Sequence, residues 1–156
     1  MKSSRNSHTE QVHILTQEDL NGYGRLFGGR LMEWIDITAA VAARRHCHAN
    51  VTTAAVSQLN FSAPAYANDT IVLIADVVYT GKTSMDVRVR TFVENLDGSR
   101  IEINTAYLVM VALDENEKPM AVPELCPDGT EEKIEWALAE TRHELYKKTR
   151  EVRNNV

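Results

Sequence analysis

The residues best placed to do chemistry are Asp36 and the pair Gly28-Gly29. Asp36 stands four residues after Met32 and four before Ala40, within an apolar helical stripe. An aspartate in mid-helix is mildly unfavourable, and a buried one is costly unless it is paired. Burial raises the proton affinity of a carboxylate, which makes such a group a competent general base. Gly28-Gly29 ends a glycine-rich approach, beginning Asn21-Gly22-Tyr23-Gly24, to a helix start. There unpaired N–H groups and the positive end of the dipole favour an anion or a developing oxyanion. An oxyanion site and an acid two turns along point to hydrolysis or proton transfer at a carbonyl. The plainer readings are a satisfied structural aspartate, and glycines that only turn and pack.

Other chemistries fit less well. The run Gly22 to Gly28 misses a dinucleotide fingerprint, because its third glycine is one residue late and no strand-helix alternation follows. No Gly-x-Ser-x-Gly elbow occurs, and His46, Cys47 and His48 are consecutive, so on a helix they diverge. The two cysteines, Cys47 and Cys126, have no CxxC partner or ligand spacing, so neither a disulfide scaffold nor a metal is expected, and the location is expected to be cytoplasmic. With 17 Lys and Arg against 22 Asp and Glu the net charge is −5, which disfavours nucleic acid and anionic membranes as partners. No apolar run is long enough for a membrane span.

The elements that must position these groups form one domain in 156 residues. Residues 1–9 are expected to be a flexible start, 10–127 the domain proper, and 128–156 a C-terminal helix and tail. Val12 to Leu15 reads as a short strand. Arg30 to His46 lacks Gly and Pro and repeats apolar residues at helical spacing, with Ala39, Ala40, Ala42 and Ala43 permitting close backbone approach. From Val51 the period changes to two, giving strands over Val51 to Phe61, Thr70 to Tyr79, Ser84 to Val93 and Arg100 to Leu113. Hairpin signals at Thr80-Gly81-Lys82 and Asn95 to Gly98 favour antiparallel pairing, hence an α+β class with a long helix on an antiparallel sheet. Ile71 to Val78 and Ala106 to Leu113 are apolar on both alternations, so the second sheet face needs a cover. The final helix, capped by Asp128 or Thr130, has a narrow apolar stripe, so another subunit is expected to supply that cover. Lys147, Lys148, Arg150 and Arg153 interleave with acids and read as a solvated face.

Asn21-x-x-Gly24-x-x-Phe27-Gly28-Gly29, Asp36, Thr53, Phe61-x-x-Pro64, Gly81-Lys82-Thr83-Ser84 and Val111-Ala112-Leu113-Asp114 occur in one order over residues 10–125. This series resembles the hotdog-fold acyl-CoA thioesterases of the brain acyl-CoA hydrolase type. The resemblance implies a hotdog fold, a homodimer with active sites at its interface, and dimers assembled as a trimer into a hexamer. It implies Asp36 as the catalytic acid and Asn21 as its partner amide from the opposite subunit, with Thr53 a further site residue. The substrate would be an acyl-CoA, with coenzyme A as product and no other cofactor. As carboxylate, Asp36 would take a proton from attacking water, Gly28 or Gly29 N–H groups would hold the oxyanion, and Asn21 would orient water or substrate. Direct attack by Asp36 through an anhydride is the alternative. For coenzyme A the candidates are Gly81, Lys82, Thr83 and Ser84, whose N–H and hydroxyl groups can meet phosphates, together with Arg88 and Arg90. Asn68-Asp69 replaces the family's Gly-Asp, and Tyr107 to Met110 replaces its usual choices there, which bears on the acyl pocket. A non-catalytic acyl-CoA-binding regulator is the second functional class considered.

Overall fold

Alternating apolar residues and tight turns form a five-stranded antiparallel sheet in the computed structural model, which describes residues 2–155. In chain order the elements are β1 (Thr9–Ile14), α1 (Gly28–Cys47), β2 (Asn50–Phe61), β3 (Thr70–Thr80), β4 (Ser84–Glu94), β5 (Arg100–Leu113) and α2 (Thr130–Asn154). The strands lie in the order β1-β3-β4-β5-β2. β3, β4 and β5 follow as hairpins, the second closing at Gly98 with φ of 86°, a left-handed conformation suited to glycine. β2 pairs with β5 instead of with the strand that follows it, so it forms an edge, bent by irregularities at Thr53/Ala55 and Val56/Gln58.

α1 crosses one face of this sheet. Its inward residues Leu31, Trp34, Ile35, Thr38, Ala39, Ala42, Ala43 and His46 are buried against Ile71, Leu73, Ala75, Val87, Val89, Ala106, Leu108 and Met110. Three alanines with no exposure, Ala39, Ala42 and Ala43, let the helix settle close to the strands. Asp36 lies outside this stripe, exposed beside Met32 and Ile37. The expected burial is therefore corrected within the single chain. The spacing that joins Asp36 to Met32 and Ala40 marks the helix edge, and the core face turns about Trp34, Ile35, Thr38 and Ala39.

The opposite face is covered differently from expectation. α2 of the same chain lies across β3, β4 and β5, so a second subunit is not needed at that position. Its inward side combines Trp136 and the buried Ala139 with Glu135, Arg142 and His143, while the apolar residues Ile134, Leu138 and Leu145 stand exposed on the other side. Glu135 accepts from Tyr107 and Arg88, His143 meets Asp86 at 2.7 Å, and the Arg142 guanidinium stacks 4.0 Å from the Tyr107 ring centroid. Burial pushes the Asp86 carboxyl above the usual range, with His143 and Arg142 opposing. The other half of this face stays open, with Val12 and Ile14 exposed. Gly129 takes the cap position of α2 in place of Asp128 or Thr130.

The start of the chain, expected to be flexible over residues 1–9, makes contacts with the fold from Lys2 onward, and Met1 lies outside the described residues. Lys2 pairs with Glu124 and Cys126 through backbone hydrogen bonds, and its ammonium donates to the His46 carbonyl at 2.7 Å. Ser7 is fully buried, and its hydroxyl accepts from Val77 N–H. His46 is likewise fully buried, not part of a frayed helix end, with Nε2 bonded to the Pro123 carbonyl at 2.7 Å. Burial holds its imidazole below the usual range, with the Pro123 hydrogen bond opposing; burial lowers His13 too, stacked 3.9 Å from Trp34. A lowered folded pKa means that the unfolded chain binds more protons as pH falls through the ordinary imidazole range, so stability is present above that range and lost below it. Unfolding stability is expected to drop by on the order of 1 kcal/mol between about pH 7.5 and 5.5. Chemical denaturation at both pH values checks this, and the slope should shrink in His46→Gln.

Candidate active site

The helix start is shaped by Asn21 and Phe27. Asn21 Oδ1 accepts from Tyr23 N–H at 2.9 Å and Arg25 N–H at 3.2 Å, forming an Asx turn. That assignment leaves the Nδ2 amide as the side chain's available donor. The turn brings Phe27 to the cap position of α1, where no side chain caps the helix. The first N–H groups, those of Gly28 and Gly29, therefore have no intrahelical acceptor. A Cβ on Gly29 would sit 2.7 Å from the Phe27 ring, so a side chain there would displace the aromatic. Phe27, quoted in the sequence motif without a role of its own, thus sits at the cap with its ring against Gly29. A cleft of about 330 Å³ opens beside Asn21, lined also by Leu26, Leu31, Phe61, Pro64 and Ile103.

Asp36 lies elsewhere. Eight residues separate it from Gly28, which at the helical rise is about 12 Å along α1. Its Oδ1 accepts from the Thr53 hydroxyl at 2.5 Å. Thr53 reaches it from β2, where it pairs with Met110 of β5. The structure thus brings Asp36 and Thr53 together and sets Asn21, Gly28 and Gly29 apart from them. Asp36 Oδ2 has no partner among the described residues, so the carboxylate keeps a free acceptor while the hydroxyl fixes its orientation.

The β3–β4 hairpin lies at the same end of the sheet as Thr53, since Thr53 pairs with Met110, Met110 with Met85 and Met85 with Thr80. Gly81 donates its N–H to the Ser84 carbonyl at 2.9 Å, and a Cβ at Gly81 would stand 2.8 Å from Ser84 Oγ. A side chain there would have to turn the Ser84 hydroxyl aside. Lys82 is exposed and forms no ion pair among the described residues. Arg88 and Arg90, expected beside it as coenzyme A contacts, are each paired with carboxylates of the same chain. Arg88 is held by Glu131 at 3.1 Å and Glu135 at 3.0 Å, with Asp76 at 3.9 Å. Arg90 is paired with Glu102 at both oxygens, 3.2 and 2.9 Å. Their charges are already answered on the α2 face, which leaves Lys82 as the hairpin's cation. Among the described residues no three His, Cys, Asp or Glu side chains gather as a metal group, and no helix is long and apolar enough to cross a membrane.

Residues 23–98 match the thioesterase superfamily model. The chain is 39% identical over 132 residues to the uncharacterized acyl-CoA thioester hydrolase YkhA of Bacillus subtilis (strain 168), covering 84% of this chain and 75% of that one. An apo-hexameric acyl-CoA thioesterase superposes with a TM-score of 0.91 at 36% identity, covering 96% of this chain and 97% of its own. The acyl-CoA hydrolase of Staphylococcus aureus, solved with butyryl coenzyme A, coenzyme A and coenzyme A disulfide, superposes with a TM-score of 0.91 at 32% identity over 99% of this chain and 94% of its own. That enzyme has also been solved with alanine in place of one asparagine, one aspartate and one threonine. A long helix on an antiparallel sheet, a glycine-rich helix start and likeness along nearly the whole chain lead to one assignment: the chain belongs to the hotdog-fold acyl-CoA thioesterases of the thioesterase superfamily.

Proposed function

We propose that this chain hydrolyses acyl-CoA thioesters to a carboxylic acid and coenzyme A, with Asp36 as the general base. One observation carries the reading. The asparagine, aspartate and threonine replaced in the S. aureus enzyme follow one another at intervals of 15 and 17 positions, the intervals between Asn21, Asp36 and Thr53. The Thr53 hydroxyl donates to Oδ1 and leaves Oδ2 to take a proton from water attacking the thioester carbonyl. The new C–O bond places charge on the carbonyl oxygen, which the N–H groups of Gly28 or Gly29 receive, with Asn21 Nδ2 as a further donor. When the C–S bond breaks, the proton held by Asp36 returns to the departing thiolate.

One thioester carbonyl cannot touch both halves of this machinery in a single chain, given about 12 Å of helix between Gly28 and Asp36. The proposal therefore includes a homodimer in which one subunit supplies Asn21, Gly28 and Gly29 and its partner supplies Asp36 and Thr53. β2 is the surface for it: an edge strand of 12 residues, largely exposed, with Val56 exposed on it and Met32 and Ile37 exposed on α1. Three such dimers would form a hexamer, the state of one solved acyl-CoA thioesterase that this chain resembles. Lys82, Thr83 and Ser84 are assigned to coenzyme A phosphates, and a cytoplasmic location belongs to the same proposal.

The test is thiol release from acyl-CoAs of graded chain length by the purified protein, without added metal or redox cofactor. Turnover that depends on chain length is expected. Saturable binding of every acyl-CoA with no thiol released would overturn hydrolysis in favour of a binding module.

A further inference from the structure

The two long faces of α2 are unlike. Glu135, Trp136, Ala139, Arg142 and His143 turn toward the sheet, where Trp136 and His143 meet the Tyr79 ring and Glu135 and Arg142 meet Tyr107. The opposite side carries Ile134, Leu138, Leu145 and Val152, which are 55%, 49%, 66% and 66% exposed. Their spacing places them, with Thr141 and Lys148 between, at the a and d positions of a heptad. The apolar stripe visible in the sequence thus faces away from the sheet. Beyond His143 every side chain to Asn154 is exposed, and an unsupported helical segment of that length is marginal in water. An apolar seam on a helix whose last turns have no tertiary support calls for a second helix.

Charge along the seam selects the partner and its direction. When α2 lies antiparallel to a second copy of itself with Ile134 level with Leu145, Leu138 falls level with Thr141 and Glu131 with Lys148. All three pairs are centred on one point of the helix, between Ala139 and Glu140. Two-fold symmetry repeats each pair, so an ion pair closes the seam at both ends. The flanking positions bring Ala137 beside Glu144 and Thr130 beside Glu151, and no like charges meet there. A parallel, in-register pair would instead set Glu131 against Glu131 and Lys148 against Lys148. Both charges are accessible: the Glu131 side chain is 72% exposed and holds Arg88 through Oε1 only, and Lys148 is exposed without an ion pair among the described residues.

We propose that the outer face of α2 is an interaction surface for α2 of a second copy of this chain, the helices packing antiparallel along Ile134, Leu138, Thr141 and Leu145 with Glu131 paired to Lys148 at each end. The contact is separate from β2 and from Asn21, Asp36 and Thr53, so it stands apart from the acyl-CoA hydrolase reading. A seam this short, with Thr141 and Lys148 among its inner positions, is weak by itself. It gains strength in an assembly that β2 already holds in twos, where the second contact forms at high effective concentration. Alternating two different two-fold contacts, one through β2 and one through α2, also joins dimers into a closed trimer of dimers.

The experiment measures the mass of the purified full chain by sedimentation equilibrium. Leu138→Glu/Leu145→Glu is expected to reduce the wild-type assembly to the dimer held by β2. Lys148→Glu sets like charges at both ends of the seam and should raise the dissociation constant of the assembly about tenfold, and Glu131→Lys/Lys148→Glu should restore it. In a Cys126→Ser background, mild oxidation of Ile134→Cys/Leu145→Cys should link the position of Ile134 in one chain to that of Leu145 in another, as read by peptide mapping. The substituted side chains are exposed, so the thermal unfolding midpoint serves as the folding control. Links joining like positions, the parallel arrangement, overturn the proposal. So does an unchanged mass in the double glutamate variant; if the wild type then sediments with phosphatidylglycerol vesicles and that variant does not, the stripe belongs to a membrane. A double glutamate variant that falls to monomers upholds the α2 contact and removes the β2 dimer instead.

Discussion

Asp36→Ala is expected to lower kcat for thiol release by about a thousandfold, the middle of the range for loss of a positioned general base. It should also leave the protein as stable as the wild type or slightly more so. Asp36 is exposed on α1 and its carboxylate bonds only the Thr53 hydroxyl within the chain. Alanine has the better helix propensity by about half a kcal/mol, which offsets one exposed hydrogen bond. Lost activity with retained stability separates a working carboxylate from a structural one. Asp36→Asn keeps the acceptor for Thr53 and removes the basic oxygen, so it should fail nearly as badly as alanine. Thr53→Ala should fail less, since the base remains but swings more freely. The measurement is kcat alongside the unfolding midpoint for all three variants. If Asp36→Asn retained wild-type turnover, the general-base role would be lost.

The second large effect concerns two inactive proteins that become active together. Asn21→Ala and Asp36→Ala should each be nearly inert as homo-oligomers, because every site lacks one half. When the two chains are co-expressed and dimerise at random, half the dimers are mixed. In a mixed dimer one interface site draws its Asn21 half and its Asp36 half from intact sequence, and the other site carries both lesions. About a quarter of wild-type activity is therefore expected in the mixture. Tagging the two chains differently and isolating the doubly tagged oligomers removes the homogeneous ones, and in a trimer of dimers that species should still show about a quarter of wild-type activity. Doubly tagged oligomers no more active than either parent would place Asn21 and Asp36 in the same subunit's site. That outcome would require the stretch of α1 between Gly28 and Asp36 to be bridged by the substrate, not by a partner.

The strands over Thr70–Thr80, Ser84–Glu94 and Arg100–Leu113 were legible almost to the residue, because each is a run rich in β-branched and apolar residues bounded by a turn with its own chemistry. α1 was legible for the same local reason, a run without Gly or Pro entered through two glycines. The site residues Asn21, Gly28, Gly29 and Asp36 stood out because an acid in mid-helix and a glycine-rich helix start are locally unfavourable, and local cost is visible in sequence. The charge on Arg88 and Arg90 was not legible in this way. Which carboxylate answers an arginine depends on a partner 47 residues away for Arg88 and Glu135. The same holds for Asp86 and His143, 57 residues apart, whose pairing seats α2 on the sheet. Apolar stripes predict burial by hydrophobicity, but α2 is seated by Trp136, Ala139, stacking and charge, and its apolar residues Ile134, Leu138 and Leu145 are left exposed.

What the sequence determined by itself is the set of elements, their turns and the identity of the groups able to attack and stabilise a thioester, since periodicity, backbone propensity and motif order are properties of neighbouring residues. The tertiary structure alone decided where those groups stand. It set β2 at the edge, turned Asp36 out of the core toward solvent and Thr53, held Arg88 against α2 and Arg90 against Glu102 of β5, and left the two halves of the site apart. Those outcomes depend on contacts between residues distant in the chain, where packing geometry and the pairing of buried charge choose among arrangements that local pattern leaves equal.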